Sequence, residues 1–117
     1  MITISAVYPN RAGSRFDVDY YRERHAPFAQ ALLAPHGLVG LRISQGASGL
    51  DGAHPAFWMI SEMRFASREA FDRAIATCGA ALFADAPNYT DVEPILQFNA
   101  PSVEFASPTS TESHPDA

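Results

Sequence analysis

The stretch Phe16-Asp17-Val18-Asp19-Tyr20-Tyr21-Arg22-Glu23-Arg24-His25-Ala26-Pro27-Phe28-Ala29-Gln30-Ala31-Leu32-Leu33 decides the fold. At about 100° per residue, Val18, Tyr21, His25, Phe28, Ala29, Leu32 and Leu33 fall on one side of a helix. Asp19, Glu23, Pro27 and Gln30 fall mostly on the other. Asp17 precedes the stripe and can accept from free backbone N–H groups, so it is the expected N-cap. The helix is predicted over residues 18–35, with Gly37 just past its end. Pro27 removes one helical hydrogen bond and predicts a kink near Glu23.

Strand patterns flank this helix. Ile2, Ile4, Ala6 and Tyr8 alternate with Thr3, Ser5 and Val7, which predicts a strand over residues 2–8. Residues 9–14 read as a turn. Residues 38–47 alternate again. Gly46, Gly49, Gly52 and Pro55 mark a flexible connection, and residues 57–65 form a third strand. Its sides are Phe57, Met59, Ser61 and Met63 against Trp58, Ile60, Glu62 and Arg64. Ser67 is placed to cap a second helix, whose face is Ala70, Phe71, Ala74, Ile75 and Cys78. Gly79 is a candidate interruption, with a further turn over residues 80–85. Residues 88–99 read as a fourth strand, and Pro94 within it points to an edge or a bulge.

The order βαββαβ predicts an α+β domain with a four-stranded antiparallel sheet and both helices on one face. Both sides of the third strand carry large apolar residues, Phe57, Met59 and Met63 on one and Trp58 and Ile60 on the other. The side away from the helices would meet water, so a homodimer through the sheet face is expected. Beyond Ala100 the composition shifts to Pro, Ser, Thr and acids. The domain is therefore drawn over residues 1–100, with a tail over 101–117 that is expected to be mostly disordered. Ser102-Val103-Glu104-Phe105 is the one piece of it that could add a strand contact.

A chain of 117 residues accommodates one core. The net charge is −5, all eight basic residues are Arg, and they are scattered. That leaves no footprint for nucleic acid or an anionic membrane. No apolar run reaches the roughly 20 residues that span a bilayer. The opening residues lack the pattern of a secretory signal, and the lone Cys78 cannot form an internal disulfide, so a cytoplasmic protein is expected.

His25 is the most informative residue. It lies mid-stripe, with Tyr21 one turn before it and Phe28 one turn after, so it should face the sheet. One reading is a buried neutral imidazole satisfied by a carbonyl or hydroxyl. The other is a general acid or base in a helix–sheet pocket, since histidine titrates near neutral pH. Tyr21 shares the stripe, whereas Tyr20 points about 100° away, toward an edge or interface. Asn88-Tyr89-Thr90-Asp91 reads first as an Asn-initiated turn, and second as a polar segment reaching a pocket mouth. His25, Tyr21 and Tyr89 are thus the catalytic candidates. Phe28, Trp58, Asn88 and Asp91 are the candidates for contact with a small hydrophobic or aromatic ligand. No metal-ligand spacing appears, and no dinucleotide or phosphate-loop motif, so neither a metal nor a tightly bound cofactor is expected. Cys78, on an apolar helix face, reads as packing.

Phe16-Asp17-Val18-Asp19-Tyr20-Tyr21 followed by His25-Ala26-Pro27 resembles the F-D-x-x-Y-Y-x-x-x-H-x-P signature of the EthD family. Pro87-Asn88-Tyr89-Thr90-Asp91-Val92-Glu93-Pro94 is similar to that family's C-terminal motif, and Val7-Tyr8-Pro9-Asn10 to its first strand. The resemblance covers residues 1–100. It implies a ferredoxin-like dimeric α/β barrel, in which two four-stranded sheets face each other. It also strengthens His25 as a site residue. EthD is associated with bacterial degradation of a fuel ether, and the wider superfamily includes cofactor-free monooxygenases, lactone isomerases and polyketide cyclases. The resemblance therefore implies a small metabolic enzyme of oxidoreductase, isomerase or cyclase type. The alternative is a non-catalytic binding or accessory protein of a degradation pathway.

Overall fold

A computed structural model describes residues 1–108. Four strands, β1 (Ile2–Pro9), β2 (Leu38–Gln45), β3 (Phe57–Phe65) and β4 (Ile95–Asn99), form one antiparallel sheet in the order β2-β3-β1-β4. The element order is βαββαβ, which gives the α+β ferredoxin-like architecture. Register places Ile4 opposite Met63, Ala6 opposite Ser61 and Tyr8 opposite Met59. On β4, Leu96 and Phe98 continue the Ala6 and Ile4 rows. This row set is the face that both helices cover.

Two apolar clusters sit between helices and sheet. One joins Ile4 and Phe65 to Leu33 of the first helix and to Ala70, Ala74 and Cys78 of the second. The other gathers Tyr8, Phe16, Tyr21, Ala26, Met59 and Tyr89. Buried Cys78 directs its thiol to the carbonyl of Leu32 at 3.7 Å, a packing position.

The first helix begins where the sequence indicates. Asp17 accepts from the Tyr20 N–H at 3.0 Å, and Gly37, at φ +101°, ends it in the left-handed region. A side chain at Gly37 would also meet the Ala70 Cβ at 2.9 Å, so backbone conformation and packing both favour glycine there. The expected kink takes a specific form. Val18–Tyr20 is α-helical, Tyr21–His25 is a π turn, and Ala26–Leu33 resumes the α-helix before a 3₁₀ turn at Ala34–His36. The Ala26 N–H reaches back to the Tyr21 carbonyl, one residue further than in an α-helix. Pro27 has no N–H to give to Glu23, and the wider turn relieves the clash of its ring with that carbonyl.

Three expectations need correction. The second helix runs unbroken over Arg68–Ala84, through a buried Gly79. The apolar face on both sides of that residue holds the helix together despite its weak propensity. The fourth strand covers only Ile95–Asn99, because the residues before Pro94 bond elsewhere. The Asp17 N–H donates to the Tyr89 carbonyl at 2.7 Å, the Thr90 hydroxyl donates to the Arg15 carbonyl at 2.7 Å, and the Arg15 N–H donates to Asp91 at 2.8 Å. Residues 89–91 thus tie down the entrance to the first helix. Residues 102–105 form no strand and are exposed. The rest of the tail, beyond residue 108, lies outside the described residues.

The open face of the sheet is mixed in character. Val7, Ile60 and Ile95 form an apolar row across three strands, with Ile60 and Ile95 about half exposed. Ser5, Glu62, Arg42 and Gln97 lie on the next row. No helix among the described residues is long and apolar enough to cross a membrane.

Leu33 is only 1% exposed and joins both helices to β1 and β3. Leu33→Ala should lower unfolding free energy by about 2–5 kcal/mol in denaturant titration. Val39→Ala, at a half-exposed position, should change it by less than about 1 kcal/mol. Equal effects would contradict the packing described.

Candidate functional site

Between the helices and the sheet lies a cavity of about 100 Å³. Most of its wall is apolar: Ile4, Ala6, Ala29, Leu33, Met63, Leu82, Phe83 and Leu96 contribute, among others. Polar atoms come from Tyr8, Tyr21, His25, Ser61 and Tyr89. Tyr8 stands at the end of β1, and Ser61 interrupts the apolar side of β3 directly opposite Ala6. The π turn supplies Tyr21 and His25, whose ring centroids are 5.1 Å apart. Tyr89 arrives from the segment that ties down the first helix, and its ring centroid lies 4.6 Å from that of His25.

His25 is 8% exposed. Its Nδ1 lies 2.9 Å from Asp85 Oδ2. The other carboxylate oxygen, Oδ1, accepts from the Tyr20 hydroxyl at 2.7 Å and from the Asn88 amide at 2.9 Å. Burial raises the Asp85 pKa, but hydrogen bonds from Asn88, His25 and Tyr20 outweigh it, and the group ends below the usual carboxylate value. A carboxylate so held is ionised and can only accept, so Nδ1 carries the proton. In the neutral imidazole the lone pair is then on Nε2, for which no hydrogen bond is found among the described residues. His25 lines the cavity and is oriented by a carboxylate.

The tyrosines are donors by the same reasoning. Tyr8, Tyr21 and Tyr89 are each at most 5% exposed. Burial is the main cause that pushes all three phenols up from their usual value, and the neighbouring hydroxyls modulate it. They stay neutral, with O–H groups to give.

The structure brings His25, Tyr21 and Tyr89 together at this cavity. It does not bring the other candidates there. Phe28 is 40% exposed and lines a separate open depression with Tyr20, Arg24, Asp85 and Asn88. The extra residue in the π turn rotates the rest of the helix, which takes Phe28 off the buried stripe. Trp58 stacks on Phe16 and donates to the Ser14 hydroxyl at 2.9 Å. Asp91 is taken up by the Arg15 backbone, and Asn88 reaches the site only through Asp85. Asp85, Tyr8 and Ser61 did not stand out in the sequence as site residues. An acid at a helix C-terminus opposes the helix dipole, and a serine breaks the Phe57-Met59-Met63 face. Each of these is a visible anomaly. Among the described residues, no group of three or more His, Cys, Asp or Glu could hold a metal ion.

A four-stranded antiparallel sheet with both helices on one face, and a small pocket between them, defines a ferredoxin-like α+β protein. No family model and no curated protein matches the chain, but solved structures do. An EthD-like protein from Ralstonia eutropha JMP134 shares 35% identity over 90% of this chain and 95% of its own, with a TM-score of 0.81. The chain belongs to the EthD family. An ethyl tert-butyl ether D (EthD) family protein from Bacillus halodurans C-125 matches at 21% identity and TM-score 0.69, over 87% of this chain and 99% of its own. SnoaB, a cofactor-independent oxygenase from Streptomyces nogalater, shares the fold at 15% identity and TM-score 0.53, over 92% of this chain and 95% of its own.

All four tyrosines of the chain have raised pKa values, Tyr20 chiefly through its hydrogen bond to Asp85. A group raised in the folded state contributes stability that is fully present below its unfolded value, here near 10, and lost as pH rises beyond it. Alkaline titration should therefore show no phenolate absorbance step near pH 10, and the step should coincide with unfolding at higher pH. Ordinary phenolate titration of the buried tyrosines in the folded protein would contradict this site.

Proposed function

We propose that this chain is a small enzyme without a tightly bound cofactor. It moves a proton to or from a small hydrophobic or aromatic molecule held between helix and sheet. The observation that carries this reading is the Nδ1 contact of His25 with Asp85 at 2.9 Å, made by a histidine that lines the cavity. His25 acts as the base through Nε2 and returns the proton as the acid. Tyr89 or Tyr21 donates to an oxygen that gains charge. Isomerisation, cyclisation and oxygenation of an activated phenol all suit such a site. The cofactor-independent chemistry of SnoaB, on the same fold, is consistent with this range.

The alternative is a non-catalytic binding protein of a degradation pathway, and the largely apolar wall favours it. A binding pocket needs no oriented histidine, however. Here His25 is held by a carboxylate with two further donors of its own rather than by a backbone carbonyl.

His25→Asn tests this. Asp85 keeps Tyr20 and Asn88 as partners, so the loss of stability should stay near 1–2 kcal/mol. Turnover of a panel of phenols and lactones should fall by about a hundredfold or more, the usual scale of general acid–base catalysis. A large loss of stability with undiminished ligand binding and turnover would return His25 to a purely structural role.

The working assembly is a homodimer in which the open sheet face meets a second copy. The Val7, Ile60 and Ile95 row provides its apolar centre. Light scattering at micromolar concentration should give twice the 12.7 kDa chain mass, and Ile60→Glu should halve it. A monomer mass for the unaltered protein would remove this assembly.

A further inference from the structure

Four hydroxyl groups share one wall of the cavity, and Tyr8, Tyr21, Tyr89 and Ser61, which carry them, are all buried. The Tyr8 and Tyr89 hydroxyl oxygens stand 2.9 Å apart. The Tyr21 ring lies edge-on to that of Tyr8, with centroids 5.6 Å apart, and edge-on to that of Tyr89 at 5.0 Å. The bonded Tyr8–Tyr89 pair holds two protons and one internal bond. One O–H of the pair is left over.

Either hydroxyl can be the donor of that bond. When Tyr8 donates, the Tyr89 proton is left to give, and the Tyr89 ring packs against His25. An O–H without an acceptor and an Nε2 lone pair without a donor thus border the same small space. Buried polar groups are seldom left that way. One kind of ligand atom satisfies both: an oxygen that carries a proton to give and, once it has given it, accepts strongly.

We propose that the cavity takes a small molecule with an acidic hydroxyl on an unsaturated carbon, an enol or a phenol, and holds it as the oxyanion. This rests on the reading of His25 as the proton acceptor of the cavity. The ligand O–H bond breaks, its proton goes to Nε2, and its electron pair stays on oxygen. The imidazolium keeps its Nδ1–H on Asp85, and the oxyanion accepts from Tyr89. Tyr8 is a positioning residue, since its hydroxyl, donating to that of Tyr89, polarises it toward the anion. A plain ketone would satisfy Tyr89 but leave Nε2 without a donor, and an apolar ligand would satisfy neither.

The test is 4-nitrophenol titrated into the full chain at a pH where the free compound is mainly neutral. The bound compound should show the phenolate absorption band. 4-Nitroanisole has nearly the same shape but no proton to lose, and it should bind at least tenfold more weakly. Tyr89→Phe should weaken phenolate binding by roughly ten- to a hundredfold, the scale of one hydrogen bond to a charge. Tyr8→Phe leaves the ligand contacts in place and should still lower it several-fold. Nitrophenol bound only in the neutral form, or a phenolate band of full strength in Tyr89→Phe, would overturn the inference. So would nitroanisole binding as tightly as nitrophenol, a readout that does not depend on any variant folding. If neutral ligands bind and their binding or turnover still depends on His25, the oxyanion inference fails while the wider reading of the cavity stands.

Discussion

The carboxylate of Asp85 ties the start of the first helix to the end of the second. It sits at the end of the second helix, where the last carbonyls already present negative charge and an acid is unwelcome. Three donors compensate. Tyr20 and His25 come from the first helix and Asn88 from the turn after the second. A single side chain therefore sets the end-to-end contact of the helices, the tautomer of His25 and the position of the segment that carries Tyr89.

The π turn is the second constraint, and it is local. Pro27 forbids an ordinary α-helical bond to Glu23, and the extra residue in the turn places Tyr21 and His25 nearly one above the other. In an unbroken helix, Phe28 would share their stripe. As it is, Phe28 turns outward, and the buried side passes to Ala26 and Ala29, which lets the helix lie close to the sheet. Backbone that departs from regular helix thus sits where the titratable residue sits.

Much of this fold was legible because its signals are local. The alternation in residues 2–8 and 57–65, the Asp17 and Ser67 caps and Gly37 each depend on neighbours a few positions away. The errors came where the partner is distant. The strand predicted from residue 88 onward loses its first part because Tyr89, Thr90 and Asp91 bond to residues 15–17, more than seventy positions earlier. Of the site, His25, Tyr21 and Tyr89 were visible as polar or aromatic residues in apolar or motif-like settings. Asp85 showed only as an acid at a helix end, and its meaning lies in a contact sixty residues away. Tyr8 read only as the last step of an alternation, and nothing in a linear pattern reveals that its hydroxyl meets that of Tyr89. Trp58 and Phe28 look like ligand contacts on size alone, but the geometry gives them other neighbours.

The cavity is polar at one end and apolar at the other, and different parts of the chain supply the two ends. The polar end draws on β1, β3, the π turn and the segment around Tyr89. The apolar end draws on Leu82, Phe83, Pro94 and Leu96, of which Phe83 and Leu96 are about half exposed. A substitution at that end changes the shape of the cavity without touching any hydrogen bond. At the polar end His25, Tyr20 and Asn88 share Asp85, and Tyr8 bonds Tyr89, so the effect of a substitution is not confined to one contact. The shape of the cavity and its hydrogen bonding thus rest on separate residues joined only by the space between them.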